Sequence, residues 1–226
     1  MKLTLGIALI AVPILFNLAF ASLAKQFEYP DILRKPTPEV LEKFRLGGSK
    51  LVLTWWAFAM SALLFGIIAV LVPFELQILQ WQQVLIATLG LLASLVQFLG
   101  LVRWPFMVPH LAREAKTADQ AKLAAIDVVF QSLNRYLGVA VGEHLGYLFT
   151  GLWTLALAVV LLPFGTFSLV LGIFGILIGA LLVICSLEFV GKNEENGWRF
   201  AALITPFVYI AWSIWLIVLG VNFFTL

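Results

Sequence analysis

Glu143, His144 and Tyr147 put a carboxylate, an imidazole and a phenol within about one helical turn of an otherwise apolar stretch. Residues three and four apart on a helix are neighbours, so Tyr147 adjoins both of the others. Ionisable groups are costly beside lipid. Those found in membrane helices usually face the protein interior and are functional candidates by default. Arg103 and His110 follow the third apolar segment at the same membrane face, and Arg135 precedes the fourth. Arg103 is the expected ion partner of Glu143, and His110 the expected neighbour of His144. The candidate polar site is therefore Glu143, His144, Tyr147, Arg103, His110 and Arg135.

Several chemistries suit these residue types. The plainest is an ion-pair and hydrogen-bond network that sets helix register. A proton relay or substrate site would use Glu143 and His144. An acid–base site would use His144 as base, Glu143 or Tyr147 to orient it, and Arg103 as an anion clamp. No cofactor is expected, the one alternative being haem or chlorophyll held between His110 and His144. No metal site is expected either, because two histidines and one glutamate lack a ligand spacing such as HExxH. No P-loop, Rossmann glycine pattern or nucleophile elbow occurs.

Gly138, Gly142 and Gly146 recur every four residues beside this cluster. Small residues at that spacing let a second helix approach closely. The face carrying the glycines should therefore border the polar groups and serve as a helix-packing surface.

The elements that hold these residues must be membrane helices. Of 226 residues, 62% are hydrophobic and only 12% are charged, against about 25% charged in soluble domains. A helix needs about 20 apolar residues to cross a bilayer core, and six segments qualify: 3–24, 51–72, 84–102, 137–162, 167–187 and 200–224. Backbone groups in lipid must be bonded internally, which makes these segments helices. The fold class is an all-α, polytopic transmembrane bundle of about six spans, forming a single transmembrane domain over 1–226.

Charge placement orients the bundle. Of the 14 basic residues, six lie in the connection 25–50, five in 103–135 and two in 191–199, leaving only Lys2 on the other side. The positive-inside bias makes that face cytoplasmic and puts both termini outside. A cleaved signal peptide is the competing reading of the first segment, since small-residue pairs such as Ala19/Ala21 follow its apolar run. That run exceeds a usual signal core. Removing it would also turn the two most basic connections outward, so a retained span is expected.

The two long connections should each hold an amphipathic interfacial helix. Thr37-Pro38-Glu39 reads as a helix start with Thr37 as N-cap, followed by Val40, Leu41 and Phe44 on one side and ended by Gly47-Gly48. Thr117 with Gln120 reads as a capping box, leading to a stripe of Leu123, Ile126, Phe130 and Leu133. Pro105 and Pro109 should break the third helix. Asn17 and Gln97, deeper in the spans, are expected to bond across helices. Trp55, Trp56, Trp104, Trp198 and Tyr209 read as interface anchors or packing residues. Nothing suggests nucleic acid as a partner: there is no basic stripe and no zinc spacing.

The runs Phe27-Glu28-Tyr29-Pro30-Asp31-Ile32-Leu33-Arg34, Arg103-Trp104-Pro105-Phe106 and Arg135-Tyr136-Leu137-Gly138-Val139-Ala140-Val141-Gly142-Glu143-His144-Leu145-Gly146-Tyr147 resemble a bacterial family of multi-span membrane proteins classed as a domain of unknown function. The resemblance covers most of the chain from Phe27 onward. It implies a six-span protein of the inner membrane and carries no reaction and no catalytic residues. Three functions remain open. The first expectation is a non-enzymatic regulatory, assembly or scaffold subunit, with the bilayer around it and a protein partner at its cytoplasmic loops. The others are a small-solute or proton-coupled transporter with its site at Glu143 and His144, and a membrane-embedded enzyme acting on a lipid or quinone-like substrate.

Overall fold

A computed structural model describes residues 2–224, apart from the side chains of residues 166 and 167. The described residues contain helices and no strand. The elements are α1 (Lys2–Phe27), α2 (Thr37–Leu71), α3 (Gln80–Lys116), α4 (Gln120–Leu133), α5 (Gly146–Leu161), α6 (Thr166–Cys185) and α7 (Arg199–Asn222). A π-helical segment, Asn134–Leu145, joins α4 to α5 without a break. Six helical stretches are long and apolar enough to cross a membrane, with Gln120–Leu161 acting as one of them.

The spans pack in chain order around a ring. Each touches the next, and α7 closes back onto α1. Close approach is made by small residues. A Cβ on Gly6 would stand 2.9 Å from the carbonyl oxygen of Gly220, and one on Gly151 would stand 2.7 Å from that of Gly179. Polar side chains tie neighbours together as expected: Asn17 donates to the Ser213 hydroxyl at 2.9 Å, and Gln97 to the Thr150 hydroxyl at 2.6 Å. Ser94 adds a bond to the Ala62 carbonyl at 2.8 Å.

Two apolar cores fill the ring, one at each end. The end away from the charges is built around Phe65, Trp153, Trp212 and Trp215, in edge-to-face contact at 5.1–6.2 Å. The end near the charges is built around Trp55 and Trp104, stacked at 4.5 Å, with Phe27 and Phe44 against them. Such ring pairs each add about 0.5–1.5 kcal/mol beyond area burial. Trp55 and Trp104 are thus packing residues, both fully buried, whereas Trp56, Trp81 and Trp198 are exposed as anchors would be.

Several local expectations are corrected. Helix α3 runs straight through Pro105 and Pro109 to Lys116. An interior proline costs about 3 kcal/mol. Beyond Pro105, Val108, Leu111 and Ala112 are buried, at roughly 1.5–3 kcal/mol for a full-sized side chain, so packing outweighs the break. Gly48, at a positive φ of 57°, interrupts α2, so the Gly47-Gly48 pair does end the amphipathic helix before the span begins. Thr37 is not an N-cap: Pro36 takes that position, while the buried Thr37 hydroxyl bonds Asp127 and accepts from Gln131 at 2.9 Å. The capping box at Thr117 is replaced by Asp119, whose carboxylate accepts from the Lys122 N–H at 2.8 Å. A charged acceptor makes the stronger bond.

The two amphipathic helices turn their apolar sides inward. Val40, Leu41 and Phe44 from the start of α2, and Ile126 and Phe130 from α4, all belong to the core at the charged end. The Thr37–Asp127–Gln131 cluster ties the two helices together at the rim.

Candidate functional site

The site is built where the π segment crosses α3. Residues spaced by four on the π segment meet residues spaced by three on α3, the chains running antiparallel. Gly146 faces Gln97, Gly142 faces Gly100, and Gly138 faces Arg103. A Cβ on Gly100 would stand 2.5 Å from the Gly142 Cα, so here the two backbones touch. The glycine spacing therefore serves close packing, as the sequence indicates. The wider π turn replaces the regular i, i+4 face, a distortion that recurs at functional sites.

Gly138 leaves room for Arg103, which is 8% exposed. Its guanidinium bonds the Gly100 carbonyl, donates to Asn134 Oδ1 at 2.8 Å, and lies 5.3 Å from the Trp104 ring centroid. Arg103 does not form the expected ion pair with Glu143. Among the described residues, none lies within salt-bridge or hydrogen-bond range of the Glu143 carboxylate. The two charges do lie within electrostatic reach of each other, and Glu143 also feels Glu188. The nearby carbonyl and amide oxygens occupy Arg103, and the carboxylate is left without a donor.

Three phenols lie within electrostatic range of Glu143. Tyr29, in the turn after α1, sits close enough to sense Glu143 and Arg103. Burial first, and then the Glu143 charge, hold the Tyr29 phenol well above its ordinary range, while Arg103 pulls it back. Tyr147 of α5 and Tyr209 of α7 make edge contact at 5.3 Å and both sense Glu143 and Tyr29. An unbroken arc of ring contacts runs from Tyr29 through Phe20, Phe58 and Phe16 to Tyr209 and Tyr147, with centroids 4.8–6.2 Å apart. The Glu143 oxygens and the Tyr29 and Tyr147 hydroxyls accept or donate no hydrogen bond among the described residues. Yet they are not among the fully enclosed unpaired atoms, and their residues are half-buried.

The other expected residues turn elsewhere. His144 turns to α6, where its Nδ1 meets the Ser186 carbonyl at 2.7 Å. A carbonyl only accepts, so Nδ1 carries the proton and Nε2 is the free nitrogen. His110 is exposed on α3. His144 stands level with residues 98–99 of α3, so His110 lies about 17 Å further along at 1.5 Å per residue. The two histidines do not meet, and a bis-histidine ligand pair within one chain is not formed. Arg135 donates to the Glu194 carbonyl at 2.6 Å and lies over the Phe189 ring, tying the π segment to the loop after α6. Among the described residues no group of three or more His, Cys, Asp or Glu side chains comes together as a metal site would require.

Tyr29, Tyr209, Asn134 and Glu188 belong to the site and were not in the sequence-based set. Glu188 lies beyond α6, and burial raises its carboxyl above the usual range, with Arg34 opposing. Tyr29 carried a usable signal, being an aromatic at a span end directly before Pro30. Its ring packs against Trp55 at 5.1 Å and Phe20 at 5.6 Å.

Six apolar helices packed in a closed ring define the class: a multi-pass α-helical integral-membrane protein, in contact with the lipid bilayer. The chain belongs to the family described as Domain of unknown function (DUF4386), whose model matches residues 4–220. No curated protein and no solved structure matches it.

Proposed function

We propose that the chain is a small-solute binding protein of the membrane, working as a carrier or transporter, with its site at Glu143 between the helices. The observation that supports this is the Glu143 carboxylate itself. It has no donor among the described residues and is only half-buried. A carboxylate kept only for structure would be paired, since an unpaired buried charge is expensive. Arg103 is within electrostatic range but bonds elsewhere. The scaffold reading relied on two amphipathic helices free to dock a partner, and both turn their apolar sides into the bundle. The basic face is read as cytoplasmic from the bias of its Lys and Arg residues, with both termini outside; an inner membrane is the location that the family resemblance implies.

The test is access. In a Cys185→Ala background, Glu143→Cys should react with a membrane-impermeant thiol reagent from the basic side of sealed vesicles. Reaction should be slow or absent from the other side, where the Trp153–Trp215 core closes the ring. A thiol at position 143 that stays inert from both sides would mean a sealed bundle and would end this reading.

A further inference from the structure

We infer that the basic end of the α1–α7 seam holds an anionic phospholipid of the surrounding bilayer, its phosphate between Lys25 and Arg199 and an acyl chain between the two helices. Its binding does not depend on how Glu143 is used.

The seam is closed at one end and open at the other. Positions that face across it recur every seven residues: Ile10, Asn17 and Ala24 on α1, and Gly220, Ser213, Pro206 and Arg199 on α7. A Cβ on Gly220 would stand 3.0 Å from Ile10 Cγ1, and Asn17 donates to the Ser213 hydroxyl at 2.9 Å. Seven residues are about two helical turns, so the same register sets Ala24 opposite Pro206. Gly220 and Ser213 are buried by this contact, yet Ala24 and Pro206 are both exposed, as is Ala21 beside them. Helices still packed at that level would cover them. The two therefore part here, where Pro206 also offers α7 no backbone N–H. The gap between them has small, apolar walls.

Depth places this gap at the edge of the hydrocarbon. Exposed apolar side chains mark the lipid face of α1 from Leu3 to Leu18 and that of α7 from Leu203 to Val221. Leu3 to Ala24 covers about 31 Å at 1.5 Å per residue, close to the ~30 Å of a bilayer core. Lys25 follows Ala24 directly, and Arg199 lies about one to two turns beyond the level of Lys25. Trp198, next to Arg199, is 37% exposed, as an indole at the headgroup layer would be.

Charge selects the occupant. Lys25 and Arg199 are exposed, and neither has an ion pair among the described residues, whereas Lys35, Lys43, Arg45 and Lys122 are all paired with carboxylates. Long basic side chains can lay their stems on an apolar wall and carry the charge to the phosphate layer. Two uncompensated cations above an apolar gap suit a lipid with net negative charge better than a zwitterionic one. A second copy docked here about a two-fold axis would instead set these cations against their own equivalents.

The experiment uses the full chain in a mild detergent, titrated with phosphatidylglycerol or with phosphatidylcholine of the same acyl chains, and counts lipid adducts by native mass spectrometry. One phosphatidylglycerol should be held about tenfold or more tighter than phosphatidylcholine. Replacing both cations, Lys25→Gln with Arg199→Gln, should weaken phosphatidylglycerol about twentyfold, at roughly fivefold for each basic residue near an anionic lipid, and leave phosphatidylcholine unchanged. The double variant Lys50→Gln with Arg113→Gln removes the same charge elsewhere on the basic face and should stay within about threefold of the wild type. Lys25→Arg with Arg199→Lys should keep the preference, which guards against a folding defect in the glutamine pair. Ala24→Leu fills the gap at constant charge and should weaken both lipids. Equal affinity for the two lipids, or an equal loss in the Lys50 and Arg113 variant, would overturn the site. Displacement of phosphatidylglycerol by an equal concentration of glycerol phosphate would make the ligand a soluble anion. A dimer that Ala24→Leu abolishes would give the seam to a second copy, and either result would end the lipid assignment.

Discussion

The two ends of the ring differ in how they treat polar groups. At the end away from the charges every indole N–H at the centre is bonded. Trp153 donates to the Ala69 carbonyl at 3.3 Å, Trp212 to the Thr154 hydroxyl at 2.9 Å, and Trp215 to the Leu171 carbonyl at 2.9 Å. Toward the charged end Glu143, Tyr29 and Tyr147 are only half-buried, and none is bonded to a described residue. Composition does not separate the two ends, since both are rich in aromatics. What separates them is satisfaction. Bonded polar groups specify a structure, whereas unbonded but reachable ones leave work for a ligand or water.

The comparison is open to attack at several depths. The largest effect should come from forcing the packed end apart. Gly151→Leu places a side chain against the Gly179 backbone and should cost about 3 kcal/mol or more, seen as loss of monodisperse protein on size exclusion. Gly48→Ala makes a useful contrast. Nothing lies within 4 Å of the added Cβ, so only the positive φ opposes it, at about 1–2 kcal/mol.

Next comes the difference between the two charges of the site. Arg103→Leu removes a guanidinium bonded on two sides and should cost about 2–4 kcal/mol of thermal stability in detergent. Glu143→Gln breaks no bond and should leave the melting temperature unchanged or raise it. Equal losses would make Glu143 a structural partner of Arg103 and erase the contrast between the ends.

Smaller effects divide in the same way. Trp212→Phe should cost about 1–2 kcal/mol, because Thr154 loses its donor in a sealed core. Tyr147→Phe, with an unbonded hydroxyl, should change stability by less than about 0.5 kcal/mol. Thermal unfolding of the pair in one micelle system checks both.

The smallest effect is at the rim. Glu28 pairs with Lys43 and Lys35, which hold its carboxyl down at about 2, below the ordinary 4.5. A depressed carboxyl stabilises the fold above its unfolded value and loses that contribution as pH falls through the folded one. The loss should fall between about pH 4.5 and pH 2. It should be slight, because the pair is exposed to solvent, and Glu28→Gln should remove it from the melting-temperature profile.

Much of this was legible in the residues. Six apolar segments required six helices, because lipid offers no partner to an open backbone. The glycines at 138, 142 and 146 announced a close helix contact, and α3 supplies it. Glu143, His144 and Tyr147 marked the polar region. The misreadings share one cause, which is that local rules were outweighed by burial. Pro105 and Pro109 should stop a helix, yet the core takes up the residues beyond them. Thr37 should cap a helix, yet its hydroxyl is bonded to Asp127, distant in sequence.

The sequence by itself determined the number of spans, the crowding of charge on one face and the small-residue contact surface. Each follows from how single residues or short periods partition between lipid, water and a neighbouring helix. Only the tertiary structure decided which polar groups are satisfied. Whether Arg103 reaches Glu143 or Gly100 and Asn134, and whether His144 meets His110 or Ser186, depends on register between helices far apart in the chain. The closing of α7 onto α1 brings Tyr209 against both Phe16 and Tyr147. No spacing along the chain encodes that meeting, because hydrogen-bond satisfaction is a property of neighbours in space.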